Sequence, residues 1–145
     1  MSHPALADPT RTMLDADIAS AALGIRVDRA HDGEALARMP VTDRMVNGHG
    51  IAHGGYLFLL ADTAFACACN SHGPVTVAAG AEISFVTSAQ LGDKLVAVAI
   101  ERTSYGRNGI YDVTVCRETP EGREVVAEFR GRSRTIVKPQ GSPES

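Results

Sequence analysis

A disulfide framework and a basic surface field are both missing from this 145-residue chain. Its three cysteines, Cys67, Cys69 and Cys116, are odd in number and lack zinc-type spacing. The close pair sits in an apolar run, where free thiols behave as small hydrophobes, so a disulfide scaffold is excluded. Fourteen basic against seventeen acidic side chains leave a net charge of −3. That balance offers no field for a nucleic-acid backbone or an anionic membrane, and neither is an expected partner. The opening MSHPALADPT has no basic region followed by a long apolar stretch, so no signal peptide is expected and the chain is assigned to the cytoplasm. Internal repeats and low-complexity tracts are absent too. What is present is ordinary globular composition, with 44% hydrophobic and 21% charged residues. This suits one domain over 1–145, with a core from about 11 to 137 and a frayed tail at 138–145.

Residues 13–22 place Met13, Leu14, Ile18, Ala21 and Ala22 near helical spacing, with Gly24 as a stop, and predict one short amphipathic helix. Asp32-Gly33 between two short runs predicts a hairpin. Residues 54–70 predict a long helix closed by Asn70 and Gly73. From Ile51 to Cys69 the only formal charge is Asp62, so this helix has no polar face and must be wrapped by protein or lipid. A membrane span would need about 20 predominantly apolar residues, and this run opens on Gly-Gly and carries a carboxylate, so burial in protein is expected.

From residue 75 the period becomes two. Val77, Ala79, Ala81, Ile83 and Phe85 alternate with smaller or polar residues, and 94–104, 109–117 and 123–137 continue as strands. Turn signals at Leu91-Gly92-Asp93, Gly106 to Gly109 and Pro120 to Gly122 suit an antiparallel meander. In the last strand Ala127, Phe129, Gly131 and Ser133 share one face and Glu128, Arg130, Arg132 and Arg134 the other. The expected class is α+β: a curved antiparallel sheet of five or six strands with one apolar helix on its concave face. Strand order does not follow from periodicity.

Asp62 is the first candidate for chemistry. Burial raises a carboxyl's pKa unless cations or donors favour the ion, and no basic residue stands three or four positions away, where Phe58, Leu59, Phe65 and Ala66 lie. The second candidate is the run from Asn47 to Tyr56. Gly54 and Gly55 at a helix N-terminus leave N–H groups unpaired, which suits an anion or a developing oxyanion, although a glycine entry alone also reads as a simple turn. His49 and His53 have metal-like spacing only on a helix, which Gly48 and Gly50 oppose, so no metal is expected. His53 as a substrate-orienting donor and the Asn47 amide fit better. His3, His31 and His72 read as surface residues. Ser71 and His72 lack an acid close in sequence and a strained elbow, against a serine hydrolase.

The run NGHGIAHGGYLFLLADTAFACACNS, residues 47–71, resembles the signature of hotdog-fold thioesterases of the phenylacetic acid degradation group. GRNGIYDV at 106–113 and FRGRS at 129–133 are similar to that family's last strands. The resemblance spans 11 to about 136. It implies a hotdog fold, a sheet wrapped around one helix, and hydrolysis of phenylacetyl-CoA or a hydroxyphenylacetyl-CoA. The catalytic carboxylate then falls on Asp62, the amide that polarises the thioester carbonyl on Gly54, and the supporting groups on Asn47 and His53. No cofactor is needed, because a thioester has a good leaving group and coenzyme A arrives as part of the substrate.

Gly54 and Asp62 are eight residues apart, about 12 Å along one helix, so one carbonyl carbon cannot touch both. If both act on one thioester, the glycine of one subunit meets the aspartate of another, which calls for a homodimer or a dimer of dimers. Gly55 and Tyr56 are expected beside the acyl group. Arg107 with Asn108, and Arg132 among the arginines of the last strand, are expected near the coenzyme A phosphates. Two other readings stand beside this one. A non-catalytic acyl-CoA-binding module would be favoured by a missing carboxylate. A hydratase needs a paired Asp and His, which nine residues across a glycine turn do not supply.

Overall fold

A computed structural model describes residues 5–136. The predicted tail at 138–145 and His3 lie outside the described residues. The elements are α1 (Asp8–Asp15), α2 (Ile18–Ala22), β1 (Arg26–His31), β2 (Glu34–Pro40), α3 (Gly54–Asn70), β3 (Thr76–Phe85), β4 (Lys94–Tyr105), β5 (Asn108–Thr119) and β6 (Gly122–Thr135). All strands join one antiparallel sheet in the order β1-β2-β4-β5-β6-β3. Helix α3 contacts every strand. Six strands at about 4.8 Å spacing are wider than a helix, so the sheet must curl around α3, as the hotdog description requires. Among the described residues no helix is long and apolar enough to cross a membrane.

The core forms where α3 meets the sheet. Leu57, Leu60, Ala61, Ala64, Phe65 and Ala68 are buried, and so are Val113, Val115, Ala127 and Phe129 opposite. Phe65 is the pivot: it lies edge-on to Tyr111 at 5.6 Å, and a Cβ at Gly131 would come within 2.8 Å of its ring. Glycine at 131 is therefore the seat of that ring. Truncating Phe65 to alanine would cost about 3–5 kcal/mol through lost contacts and the cavity left behind. Buried thiols belong to this core: Cys67 and Cys69 are both pushed up to about 12 by burial, which makes them packing groups and not nucleophiles. The opposite face of the sheet is polar. There Arg130 grips Asp112 through two hydrogen bonds, Arg102 adds a third, and the Asp112 carboxyl is held down at about 2.

Three expectations need correction. The single helix predicted over 13–22 is two. Pro9 starts α1 earlier, and the Asp17 side chain accepts the Ser20 N–H, opening a new helix with a new axis. Ile18 consequently points outward at 83% exposure, while Met13 and Leu14 pack on the core. Thr10 anchors α1 by donating to the Cys67 carbonyl at 2.9 Å, and Ser20 of α2 bonds Thr63 at 2.9 Å.

Strand β3, secondly, does not open a meander with β4. It lies at the sheet edge beside β6, and residues 86–93 cross over, with Ala89 and Gln90 bonded to Ala52 and Ile51. The Leu91-Gly92-Asp93 turn is tied to Val41 and is not a hairpin. The reason is burial. In β4, Leu95, Val96, Ala97 and Ala99 are all buried and need neighbours on both sides, which the small residues of β3 do not. Thirdly, the strict alternation read over 77–85 breaks at a bulge between Ala78 and Gly80, so Val77 turns to the outer face while Ala81 and Ile83 pack inward; Phe85 keeps their side of the strand but sits at its end, over the start of α3, and is exposed. The other expectations correspond to observed elements: the 26–40 hairpin turns at Asp32 (φ 55) and Gly33 (φ 79), and Ala127, Phe129, Gly131 and Ser133 are the buried face of β6.

Candidate active site

Helix α3 begins at Gly54, where the chain leaves a rigid loop. Asn47 organises that loop: its side-chain carbonyl accepts the N–H groups of His49 (2.8 Å) and Ile51 (3.2 Å). The Asn47 amide nitrogen has no acceptor among the described residues and stays available. His53 precedes the helix in an extended conformation, its N–H donated to Met45 O at 2.9 Å and its imidazole exposed. The N–H groups of Gly54 and Gly55 find no acceptor among the described residues, whereas Tyr56 N–H already bonds His53 O. Two free donors at the positive end of a 17-residue helix form an anion-stabilising corner. Phe85, at the end of β3, lies over it; a Cβ at Gly54 would come within 2.6 Å of that ring, whereas Gly55 faces open space.

Two turns further along α3 stands Asp62, half-buried and without a hydrogen bond or ion pair among the described residues. Burial, then the nearby Asp17 carboxylate, pushes its pKa above the ordinary value. The sequence reading missed Asp17, although Asp17 and Ser20 show cap spacing. It also missed Phe85, for which strand periodicity gave no sign of a place beside the helix start. Among the described residues no three His, Cys, Asp or Glu side chains gather as a metal site requires.

Gly54, Gly55, Tyr56, Asn47 and His53 are thus gathered at one end of α3, with Asp62 about 12 Å along its axis. Arg107 and Asn108 are not with them. Arg107 lies in the β4–β5 turn and Asn108 opens β5, beside Cys69 and His72 at the other end of α3, a helix about 24 Å long. Arg132 is on the outer face of the sheet, 3.5 Å from Glu82, on the side away from α3. A separate hollow of about 340 Å³ at the far edge holds Arg26 and Arg38, but both already pair with Asp28.

A family model described as the thioesterase superfamily matches residues 49–123. The chain is 41% identical over 136 residues to the acyl-coenzyme A thioesterase PaaI of Escherichia coli, covering 94% of each. The solved structure of E. coli PaaI, from the phenylacetic acid degradation operon, superposes with a TM-score of 0.84 at 40% identity, over 89% of this chain and 91% of that one. The TT0310 protein of Thermus thermophilus gives 0.74 at 36% identity, over 81% and 96%.

Proposed function

The chain belongs to the thioesterase superfamily, and from that premise we propose that it hydrolyses phenylacetyl-CoA or a ring-hydroxylated phenylacetyl-CoA to the free acid and coenzyme A, in phenylacetic acid breakdown. The observation that carries the chemistry is Asp62: a half-buried carboxylate that, among the described residues, has no cation beside it, on the same helix as two N–H donors with no acceptor among those residues. The Gly54 N–H donates to the thioester carbonyl oxygen and holds the charge that gathers there as the carbonyl carbon becomes tetrahedral. Asp62 takes a proton from water as that water attacks, or attacks the carbon itself to give an anhydride that water then opens; either way the C–S bond breaks and the thiolate leaves. The Asn47 amide and the His53 imidazole stand beside Gly54 to orient the thioester, and Gly55 and Tyr56 border the acyl group.

The 12 Å between Gly54 and Asp62 requires two subunits with antiparallel α3 helices, so the enzyme is proposed as a homodimer or a dimer of dimers. The bare edge of β3 supports this, with Val75, Val77, Phe85 and Val86 each more than 40% exposed. The reading needs no metal or cofactor. It places the enzyme in the cytoplasm, which suits its free thiols. Arg107 and Asn108 are retained as substrate contacts; Arg132, facing away from α3, is not.

Asp62→Asn is the test. Thiol release from either ester is expected to fall by about 10²–10⁴, with the oligomer intact by size-exclusion chromatography. A variant of near wild-type rate would remove Asp62 from the mechanism.

A further inference from the structure

Beneath the last turns of α3 lies a cavity of about 190 Å³, walled by Cys69, Tyr111 and Ser133, with His72, Glu101 and Arg107 at its mouth. Tyr111 and Ser133 are 2% and 4% exposed, yet neither hydroxyl has a hydrogen-bond partner among the described residues. No fully enclosed side-chain oxygen or nitrogen there lacks a partner, so both hydroxyls open onto the cavity. Their placement is built. Gly109 pairs directly with Ser133 across β5 and β6, and a Cβ at 109 would come within 2.7 Å of Ser133 Oγ and 2.9 Å of the Tyr111 ring. Glycine there lets both side chains occupy the same corner, and Phe65 holds the tyrosine ring edge-on. An occupant that shut water out of this corner without pairing the two hydroxyls would leave them unsatisfied at a cost, so the corner suits a hydrogen-bonding occupant.

We propose that this cavity receives the far end of the acyl group, and that Tyr111 and Ser133 hydrogen-bond a polar atom carried there. The proposal rests on the thioesterase reading and deepens it. Asp62 and Cys69 are seven residues apart on α3, hence within about 20° of one face and about 10 Å apart along the axis. An arylacetyl group with its carbonyl at Asp62 and a hydroxyl on its ring, plus one hydrogen bond, is of that length. Burial raises the Tyr111 pKa, so its phenol keeps its proton and can donate at neutral pH. A coenzyme A phosphate fits this corner poorly, because the Glu101 carboxylate, 2.8 Å from His72 Nε2, shares the mouth with Arg107. The substrate class that follows is an acyl group with a hydrogen-bonding atom at its distal end; a plain apolar terminus would strand both hydroxyls.

The experiment compares kcat/KM for 3- and 4-hydroxyphenylacetyl-CoA, each against phenylacetyl-CoA, in the wild-type protein, Tyr111→Phe and Ser133→Ala. The ratio of a hydroxylated to the plain ester is expected to fall about five- to tenfold in Tyr111→Phe, the worth of one neutral hydrogen bond, and in the same direction by less in Ser133→Ala. Because the readout is a ratio, a general loss of folded protein cancels. Unchanged ratios for both hydroxylated esters overturn the proposal and leave the thioesterase reading standing; a wild-type protein that cleaves none of the three esters overturns that reading itself.

Discussion

The two edges of the sheet are treated differently. At the β1 edge the chain caps its own strand: Ala7 N–H donates to Ala30 O at 2.8 Å and Ala30 N–H to Ala5 O at 2.9 Å, so the N-terminal segment covers the end of the strand at Ala30, and its exposed positions include Arg26 and Arg29. At the β3 edge nine of the strand's ten residues pair with β6 on one side and, among the described residues, with nothing on the other. Valines flank that bare edge, and its end carries Phe85 over Gly54. A long apolar strand edge left open invites another strand. The difference teaches where the proposed second subunit would dock: on β3, beside the helix whose two candidate groups cannot meet within one chain.

The largest effect expected from this contrast comes from charging the open edge. Val77→Lys together with Val75→Lys is expected to give monomers by light scattering and to lower kcat/KM by about a hundredfold or more, since each protomer then holds an incomplete site. Fully active monomers would break the comparison. A change of the same kind at the closed edge, Arg29→Glu, is expected to leave the oligomer unchanged and activity within about twofold.

The smallest effect is one of stability. Asp62 has a raised pKa in the folded state, so folding favours its protonated form. The stability from that form is fully present below the unfolded value near 3.8 and is lost as pH rises through the folded value; at neutral pH the ionised carboxylate is therefore a cost. Asp62→Asn is expected to melt higher than wild type at pH 7 and to lose that advantage in acid. The same shift places the acid limb of kcat/KM above the ordinary aspartate range. A lower melting temperature at pH 7, or an acid limb at the ordinary value, would contradict the burial argument.

Much of this was legible in the residues because it is local. An all-apolar stretch ending in Asn70 and Gly73 had to be a buried helix, and Asp32-Gly33 supplies the positive φ a tight hairpin turn requires. Gly54 and Asp62 stood out because their residue types are rare in such surroundings, and the eight-residue spacing alone raised the question of a second subunit. The place of β3 was not legible, since a period of two reports faces and not neighbours, and its bulge hides which alanine faces in. The split between α1 and α2 was missed because apolar spacing ran through Asp17, whose capping role competes with helix continuation. Arg132 shows the converse. Strand alternation correctly put it opposite Gly131, and that same alternation carries it to the side of the sheet away from α3.

The central claim, that one thioester is served by Gly54 of one subunit and Asp62 of the other, is tested by mixing two inactive variants. Gly54→Pro removes the N–H and displaces the exposed Phe85 ring, while the backbone is suited to it: proline is favoured at the first helical position, and His53 already has the extended conformation that precedes it. Each of Gly54→Pro and Asp62→Asn is expected to be nearly inactive by itself. Refolded together in equal amounts, they are expected to regain about a quarter of the wild-type rate, because random pairing makes half the dimers mixed and each mixed dimer has one of its two sites intact. A mixture no more active than its components would contradict the shared site.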